Sequence, residues 1–378
     1  MSFKNGRKIG GHISTVAWLI ILILVINLLM FGIRMFKLRT LDLDKQSICV
    51  DDTHNWSSNY IAVSEDIGPR FLNGILGERL KLISFPEGKE YTVKNNLGLF
   101  DGFVNPVICG NTVFYDTTWL DYTEDYYKFD LGESFKADFI NCYIWERPFY
   151  VTEGKIYYLD TEDYDDVGMA SRYLIEYSIA DSTQKYLIKT YIENFTIYEN
   201  LIYYVDKDGN LLKQNVNSTE SKYICNIGNV SIRDMIASNR GDVYFQTEDN
   251  GLFVYEVDRE KLKMIAGNGD YSEGIFLNDS SILHLKDEVL YYCDSKGNIY
   301  IIDEDGNNKI MVDTSDINFM DIKESDFMNR WQGVSWCEDY IVVRIIADSW
   351  STGKTKEGLI AFDYNGDIVY KKSNTNYN

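Results

Sequence analysis

The chain has 378 residues, 45% hydrophobic and 25% charged, which excludes an intrinsically disordered polypeptide and leaves room for a large core or more than one domain. Residues 1–40 hold six of the Lys and Arg and none of the 58 Asp and Glu, so the remainder sets 31 basic against 58 acidic groups, a net of −27 within a chain total of −21. A domain of that charge is repelled by nucleic acid and by anionic lipid, so no nucleic-acid partner is expected.

Residues 1–12 are a short basic tail carrying Lys4, Arg7 and Lys8. Ile13 to Ile33 (ISTVAWLIILILVINLLMFGI) follows without a single charge, and Asn27 is its one strongly polar interior residue. A helix of that length covers roughly 30 Å, the thickness of a bilayer core. A buried core helix would keep a polar face, and this run has none. No A-x-A-like cleavage site follows, the next residues being Arg34, Met35, Phe36 and Lys37, and the first cysteine, Cys49, is too distant to be a lipidated one. The run therefore reads as one uncleaved transmembrane helix, a signal-anchor. Arg34, Lys37 and Arg39 balance the three basic residues before it, and the N-terminal amine tips the count inward. The expected topology is a single-pass cell-membrane protein with its C-terminal domain outside. Residues 34–46 read as a juxtamembrane linker, 47–372 as the main domain and 373–378 as a C-terminal tail.

After residue 40 helical periodicity disappears and one hydrophobic phrase recurs: KIYYLD at 155–160, LIYYVD at 201–206 and VLYYCD at 289–294. Weaker copies are IAVSE at 61–65, VFYDT at 113–117, VYFQT at 243–247 and IVVRI at 341–345. The first apolar residues, Ile61, Val113, Ile156, Ile202, Val243, Leu290 and Ile341, are 52, 43, 46, 41, 47 and 51 residues apart, and such a period signals a solenoid or a propeller. Each copy is preceded by a short apolar run and tight turn, as in TIYEN and MIASNRG, and followed by two more runs, as in LLKQNV and KYICNI. Four short strands per unit, bounded by Gly, Asn, Asp and Ser, make a blade. Blades stack face to face, so their inner strands are apolar on both sides and show no alternation. The expected fold is an all-β, seven-bladed β-propeller of four-stranded blades, with six or eight blades as alternatives. The first unit begins at SICV (47–50), the last ends at IVYKK, and the two are expected to meet without exchanging a strand.

Tyr157-Tyr158-Leu159-Asp160, Tyr203-Tyr204-Val205-Asp206 and Tyr291-Tyr292-Cys293-Asp294 keep the first Tyr and the Asp of a known second-strand signature, Y-W-T-D, and lack its Trp and Thr. In this they resemble the low-density-lipoprotein-receptor-related, YWTD-like propeller. They are more similar still to a bacterial membrane-anchored domain of unknown function related to it. The resemblance implies a propeller and carries no catalytic residues. The receptor propeller has six blades.

Several segments raise chemical questions. DKDGN (206–210), DSKGN (294–298), DEDGN (303–307) and DYNGD (363–367) suggest calcium loops, but Gly stands at position 4 rather than 6, and neither Asp206 nor Asp303 is followed by a Glu at position 12. They read as tight turns between strands. The six cysteines form no C-x-x-C pair, which excludes a zinc knuckle, and Cys293 fills the slot of Leu159 and Val205 as a small hydrophobe. No cofactor or metal is expected. Only three His exist, with no HExxH helix, G-x-S-x-G elbow or phosphate loop; His284, between two leucines, reads as a strand residue.

The long second-to-third connections (65–79, 117–125, 160–172, 346–357) and fourth-to-first connections (266–281, 313–333) are expected to share one face of the ring. Long loops over a rigid scaffold are where ligands are contacted. They make Trp119, Tyr164, Tyr271, Trp331 and Trp350 the candidate aromatic contacts, with Asp163, Asp165 and Asp166 the charged ones. The functional expectation is a binding module for a peptide, glycan or protein, not an enzyme. The alternatives are a carboxylate-based extracellular hydrolase, assembled from different blades, and a scaffold or sensor subunit of a membrane complex.

Overall fold

The computed structural model describes residues 59–66, 78–96, 102–109, 112–118, 125–130, 138–140, 149–152, 154–164, 170–228, 230–247, 251–266, 283–293, 298–302, 307–313, 328–348 and 355–374, together with Trp18 and Leu22. The last two are helical with exposed side chains; the rest of the expected span 13–33 lies outside the described residues, as do the linker 34–46 and SICV. Among the described residues no helix is long and apolar enough to cross a membrane.

The described residues fold into seven antiparallel sheets in chain order. The first holds β1 (Tyr60–Asp66), β2 (Glu78–Ser84) and β3 (Glu90–Asn96), and the second β4 (Gly102–Cys109), β5 (Thr112–Thr118), β6 (Asp125–Asp130) and β7 (Asp138–Ile140). The third holds β8 (Phe149–Thr152), β9 (Lys155–Tyr164), β10 (Ala170–Ser178) and β11 (Thr183–Ile188). The fourth holds β12 (Ile192–Tyr198), β13 (Leu201–Asp206), β14 (Asn210–Asn215) and β15 (Ser221–Asn226). The fifth holds β16 (Ile232–Ala237), β17 (Val243–Thr247), β18 (Leu252–Glu256) and β19 (Lys261–Ala266). The sixth holds β20 (Leu283–Lys286), β21 (Val289–Cys293), β22 (Ile299–Ile302) and β23 (Asn308–Val312), and the seventh β24 (Met328–Trp336), β25 (Tyr340–Asp348), β26 (Thr355–Asp363) and β27 (Ile368–Asn374). The recurring phrase is the second strand of every complete sheet. The first sheet shows three described strands rather than four: they match the second, third and fourth runs of its unit.

Side-chain packing closes these sheets into a ring. Leu80 and Leu82 of the first sheet pack with Val113 and Tyr115 of the second. Phe114 and Ile140 of the second meet Tyr158 and Ile175 of the third. Tyr157 and Leu174 of the third meet Phe195 and Tyr204 of the fourth, whose Tyr203 and Val205 meet Met235 and Phe245 of the fifth. One cluster joins Ile236 and Leu252 of the fifth, Leu290 and Tyr291 of the sixth, and Val334, Trp336 and Phe362 of the seventh. Finally Cys337, Val342, Leu359 and Ala361 of the seventh pack against Ile61, Ile83 and Phe85 of the first. Seven sheets, each covered on both faces by its neighbours in the chain and the last by the first, are the arrangement of a seven-bladed β-propeller. Among the described residues the sheets number seven rather than six or eight.

Among the described residues, side chains join the last seam. Asn59 Nδ2 donates to Asp339 Oδ2 at 2.8 Å, and the Asp339 N–H returns a bond to Asn59 Oδ1 at 3.0 Å. The rings of Phe85 and Tyr370 meet edge to face at 5.4 Å, and Lys372 pairs with Glu90.

The doubled Tyr of the phrase follows from this packing. Successive strand residues point to opposite faces, so Tyr157 and Tyr203 face the next sheet while Tyr158 and Tyr204 face the preceding one. Tyr158, Tyr204 and Tyr292 are 0%, 3% and 5% exposed, and such burial requires a partner for each hydroxyl. The outermost strand of the same sheet supplies it: Gln184 Nε2 donates to Tyr158 Oη at 3.1 Å, Tyr204 Oη donates to Ser221 Oγ at 2.7 Å, and Asn308 Nδ2 donates to Tyr292 Oη at 2.7 Å.

Candidate functional site

Each complete sheet is an up-and-down meander. First-to-second and third-to-fourth turns therefore emerge at one end of the ring, second-to-third and fourth-to-first connections at the other. The two ends differ. Among the described residues, 199–200 and 287–288 make tight first-to-second turns. Asp287 and Glu288 both take positive φ, as two-residue hairpin turns require. At the opposite end the strands are separated by 67–77, 267–282 and 313–327, the widest intervals in the ring.

Of the expected contact residues the structure describes three, Asp163, Tyr164 and Trp331, and all three lie in strands. Trp119, Tyr271, Trp350, Asp165 and Asp166 lie outside the described residues. Asp163 and Tyr164 are the last two residues of β9, opposite Ser171 and Ala170, so the connection is 165–169 rather than 160–172. The hairpin extends because its backbone groups continue to pair, with a register shift between Ser171 and Arg172 absorbing the extra residue. Trp331 is in β24, opposite Ile345 and beside a register shift between Trp331 and Gly333, so that connection is 313–327 rather than 313–333. Asp163 and Tyr164 are thus neighbours on the third sheet, while Trp331 belongs to the seventh, which does not adjoin it.

The suspected calcium loops at 206–210 and 363–367 are turns. Asp206 Oδ1 accepts the N–H groups of Asp208 and Asn210, both at 2.9 Å, and its Oδ2 accepts Asn210 Nδ2 at 2.9 Å. Asp363 repeats the pattern with Asn365 and Asp367. Burial opposes its ionisation, but these amides outweigh it and hold the Asp363 carboxyl below its ordinary range. Gly209 (φ 72°) and Gly366 (φ 91°) take the left-handed positions. Among the described residues no group of three or more His, Cys, Asp and Glu is placed to hold a metal ion. Cys293 and Cys337 are buried and Cys225 half-buried; burial pushes the Cys225 thiol up.

His284 sits between the sixth and seventh sheets. Its ring stacks on Trp336 with centroids 5.1 Å apart, and its Nε2 is 3.1 Å from Tyr364 Oη. Tyr364 donates its one proton to Cys337 O at 2.8 Å, so it accepts from His284, which places the imidazole proton on Nε2. Burial pushes the Tyr364 phenol up, and Lys286 Nζ lies 4.3 Å over the same ring. His284 is thus a satisfied residue of a sheet interface, as its place between two leucines suggests.

A polar seam along the inner strands escapes sequence reading. Tyr150 on β8 shares its one hydroxyl proton between Phe195 O at 3.4 Å and Met235 O at 3.3 Å, reaching two sheets beyond its own. Asn194 Nδ2 donates to Ile232 O and Arg233 O at 3.3 Å each, and Asp234 Oδ2 accepts the Leu283 N–H at 2.8 Å. Both follow a register shift on their inner strand. Burial, with the nearby Asp234 carboxylate, pushes the Tyr150 phenol up. The seam ties consecutive blades and offers no unshared acid or base. The only sequence signal was an Asx residue third in IENF and IRDM.

No family model matches the chain, and no curated protein matches it. The chain is similar to the computationally designed Ika8 protein at 10% identity, covering 86% of this chain and 97% of that one with a TM-score of 0.42. It is similar to YCF48 in a structure described as bound to D1 peptide, at 10% identity over 79% and 94% with a TM-score of 0.45. It is also similar to a structural genomics protein of unknown function from Bacteroides thetaiotaomicron VPI-5482, at 13% identity over 80% and 90% with a TM-score of 0.42. Similarity at this level says nothing of ligand or activity.

Proposed function

We propose that this protein is a binding module, a propeller held at the cell membrane by residues 13–33, displayed outside the cell, and engaging its ligand at the end of the ring that carries the wide connections. One observation supports the reading most: the strand ends flanking the widest intervals, 67–77, 267–282 and 313–327, all lie at that end, on sheets packed on both faces. A rigid ring with short turns below and long connections above separates stability from recognition, because the connections can vary without disturbing the core. Trp119, Tyr164, Tyr271, Trp331 and Trp350, with Asp163, Asp165 and Asp166, are the proposed contacts, and the ligand is a peptide, a glycan or a cell-wall component. The anchor reading rests on the charge-free run and the absent cleavage site.

The test is a screen of the full chain, purified in neutral detergent, against glycan and peptide arrays, with mass spectrometry to detect any turnover. For a ligand so found, Trp119→Ala, Tyr164→Ala, Tyr271→Ala and Trp350→Ala are each expected to weaken binding while the melting temperature holds. Unchanged affinity in all four would move the site elsewhere on the ring; a converted ligand would make the protein an enzyme.

A further inference from the structure

The outermost strands of the third to sixth sheets repeat a two-residue pattern at one register position. Lys185-Tyr186, Lys222-Tyr223, Lys263-Met264 and Lys309-Ile310 lie opposite Glu176-Ile175, Lys213-Leu212, Val254-Phe253 and Ile301-Tyr300 of the neighbouring strand. In each sheet a register shift follows at once. Apart from Trp18 and Leu22, the exposed large hydrophobic residues of the described chain are Tyr223 (57%), Met264 (54%), Ile310 (49%) and Ile368 (49%), all on such outermost strands. None of β11, β15, β19, β23 and β27 contains a carboxylate, in a chain with 58.

Register fixes where these side chains point, because directly opposed residues share a face of the sheet. Tyr223 lies opposite Leu212, which packs into the interface with the third sheet, so Tyr223 faces that sheet. Lys185 lies opposite Glu176, itself opposite Tyr157 of the same interface, so Lys185 faces the fourth sheet. Lys185 and Tyr223 therefore stand on facing walls of the groove between β11 and β15. The same reasoning sets Lys222 against Met264 in the next groove and Lys263 against Ile310 in the one after. Lys309, opposite Ile301, which is itself opposite Tyr291, faces the seventh sheet, where Ile368 lies opposite Phe362.

Lysines and bulges on edge strands are devices against sheet-to-sheet pairing. They account for the Lys and the register shift, but not for an exposed apolar side chain at the same place in blade after blade, since single exposed hydrophobics are ordinary and a recurrent register position is not. We infer that the outer-rim grooves between the third and seventh blades are docking sites for an extended peptide that carries carboxylates beside apolar side chains, the carboxylate meeting Lys on one wall and the apolar group meeting Tyr, Met or Ile on the other. Charge complementarity selects an acidic partner. The curved rim, with paired groups on facing walls, suits a chain that lies in or crosses successive grooves, whereas a flat bilayer touches a wheel only along a tangent. Such a site is separate from the wide-loop end proposed above.

Two probes test it on the full chain in neutral detergent: a fluorescein-labelled eight-residue peptide of alternating leucine and glutamate, and its leucine–glutamine counterpart. The glutamate peptide should bind saturably by fluorescence anisotropy, at least tenfold tighter than the glutamine peptide, and weaken as salt rises. It should protect Lys185, Lys222 and Lys263 from an amine-reactive reagent read by mass spectrometry. The combined K222E and K263E variant should lose at least tenfold in affinity with an unchanged melting temperature, and protection of the native chain carries the test if that variant fails to fold. Equal binding of the two peptides, no saturable binding, or protection confined to other lysines would overturn the inference. So would protection of the rim lysines by vesicles containing phosphatidylglycerol but not by the glutamate peptide, which would assign the band to a lipid surface.

Discussion

Tyr204 combines two contributions that can be separated by mutation. Its ring is buried between the third and fourth sheets opposite Phe195, and its hydroxyl donates to Ser221 Oγ at 2.7 Å, while Ser221 donates onward to Gln214 Oε1 at 2.8 Å. Removing a buried aromatic ring costs about 3–5 kcal/mol in transfer and cavity terms. Removing the hydroxyl alone forfeits one hydrogen bond, about 1 kcal/mol, because Ser221 keeps its bond to Gln214. Tyr204→Ala is therefore expected to lower urea stability several times more than Tyr204→Phe. Equal losses would mean that the hydroxyl network, not ring packing, holds the interface. The burial of Tyr158, Tyr204 and Tyr292 was legible from the repeated phrase. Their hydroxyl partners were not, since Gln184, Ser221 and Asn308 stand 26, 17 and 16 residues away on strands with no shared motif.

At the scale of an element, the turn from β13 to β14 shows how local chemistry sets strand register. Asp206 gathers two backbone N–H groups and the Asn210 amide, and Gly209 takes the positive φ that closes the turn. Asp206→Ala is expected to cost about 1–2 kcal/mol in chemical denaturation, since it leaves those donors to water or to nothing. Gly209→Ala should be more damaging, because a Cβ there would overlap the Gly228 carbonyl as well as strain the backbone. Millimolar calcium should leave the melting temperature unchanged, as the Asp206 oxygens already accept protein donors; a rise of several degrees would restore the calcium reading. Turns of this kind declare themselves in four or five residues. The β9–β10 hairpin did not: its acidic DTEDYDD run reads as a loop, yet pairing continues to Tyr164 opposite Ala170 because the partner strand is there to accept it.

The whole molecule depends on the seam where the seventh sheet meets the first. Glu90 lies between Lys81, at 3.0 Å, and Lys372 of the last strand. Burial raises its pKa, but the hydrogen bonds and charges of Lys372 and Lys81 prevail and hold it below its ordinary 4.5. A carboxyl whose folded pKa is depressed stabilises above its unfolded pKa and loses that stabilisation as pH falls through the folded value. The contribution is therefore present at pH 7 and declines as pH falls below about 4.5, and for a partly exposed pair it is at most about 1 kcal/mol. Glu90→Gln should lower stability slightly at pH 7, by an amount that shrinks steadily as the pH is lowered below about 4.5, measured by urea titration across that range. A difference that did not shrink with falling pH would mean that Glu90 acts through packing. Asp339→Ala tests the same seam through the paired bonds to Asn59 and should cost about 1–2 kcal/mol.

The sequence by itself determined the strand phrase, its period near 45 residues, the order of runs within each unit and the turns that join them, because each depends on contacts within a few residues or on a repeat that every blade must satisfy. It also carried the Lys–hydrophobe dipeptides of the outer rim without revealing them. Only the register against the neighbouring strand brings Lys185 and Tyr223, 38 residues apart, to one groove. The tertiary structure alone decided that seven sheets close the ring and that Asn59 and Asp339, separated by 280 residues, join its ends. It also decided that Asn194, Asp234 and Tyr150 form an inner seam and that Trp331 belongs to a strand. The physical reason is common to all of these. Closure, seam and groove depend on which sheets become neighbours, and that is settled by packing both faces of every sheet at once rather than by any local preference of the chain.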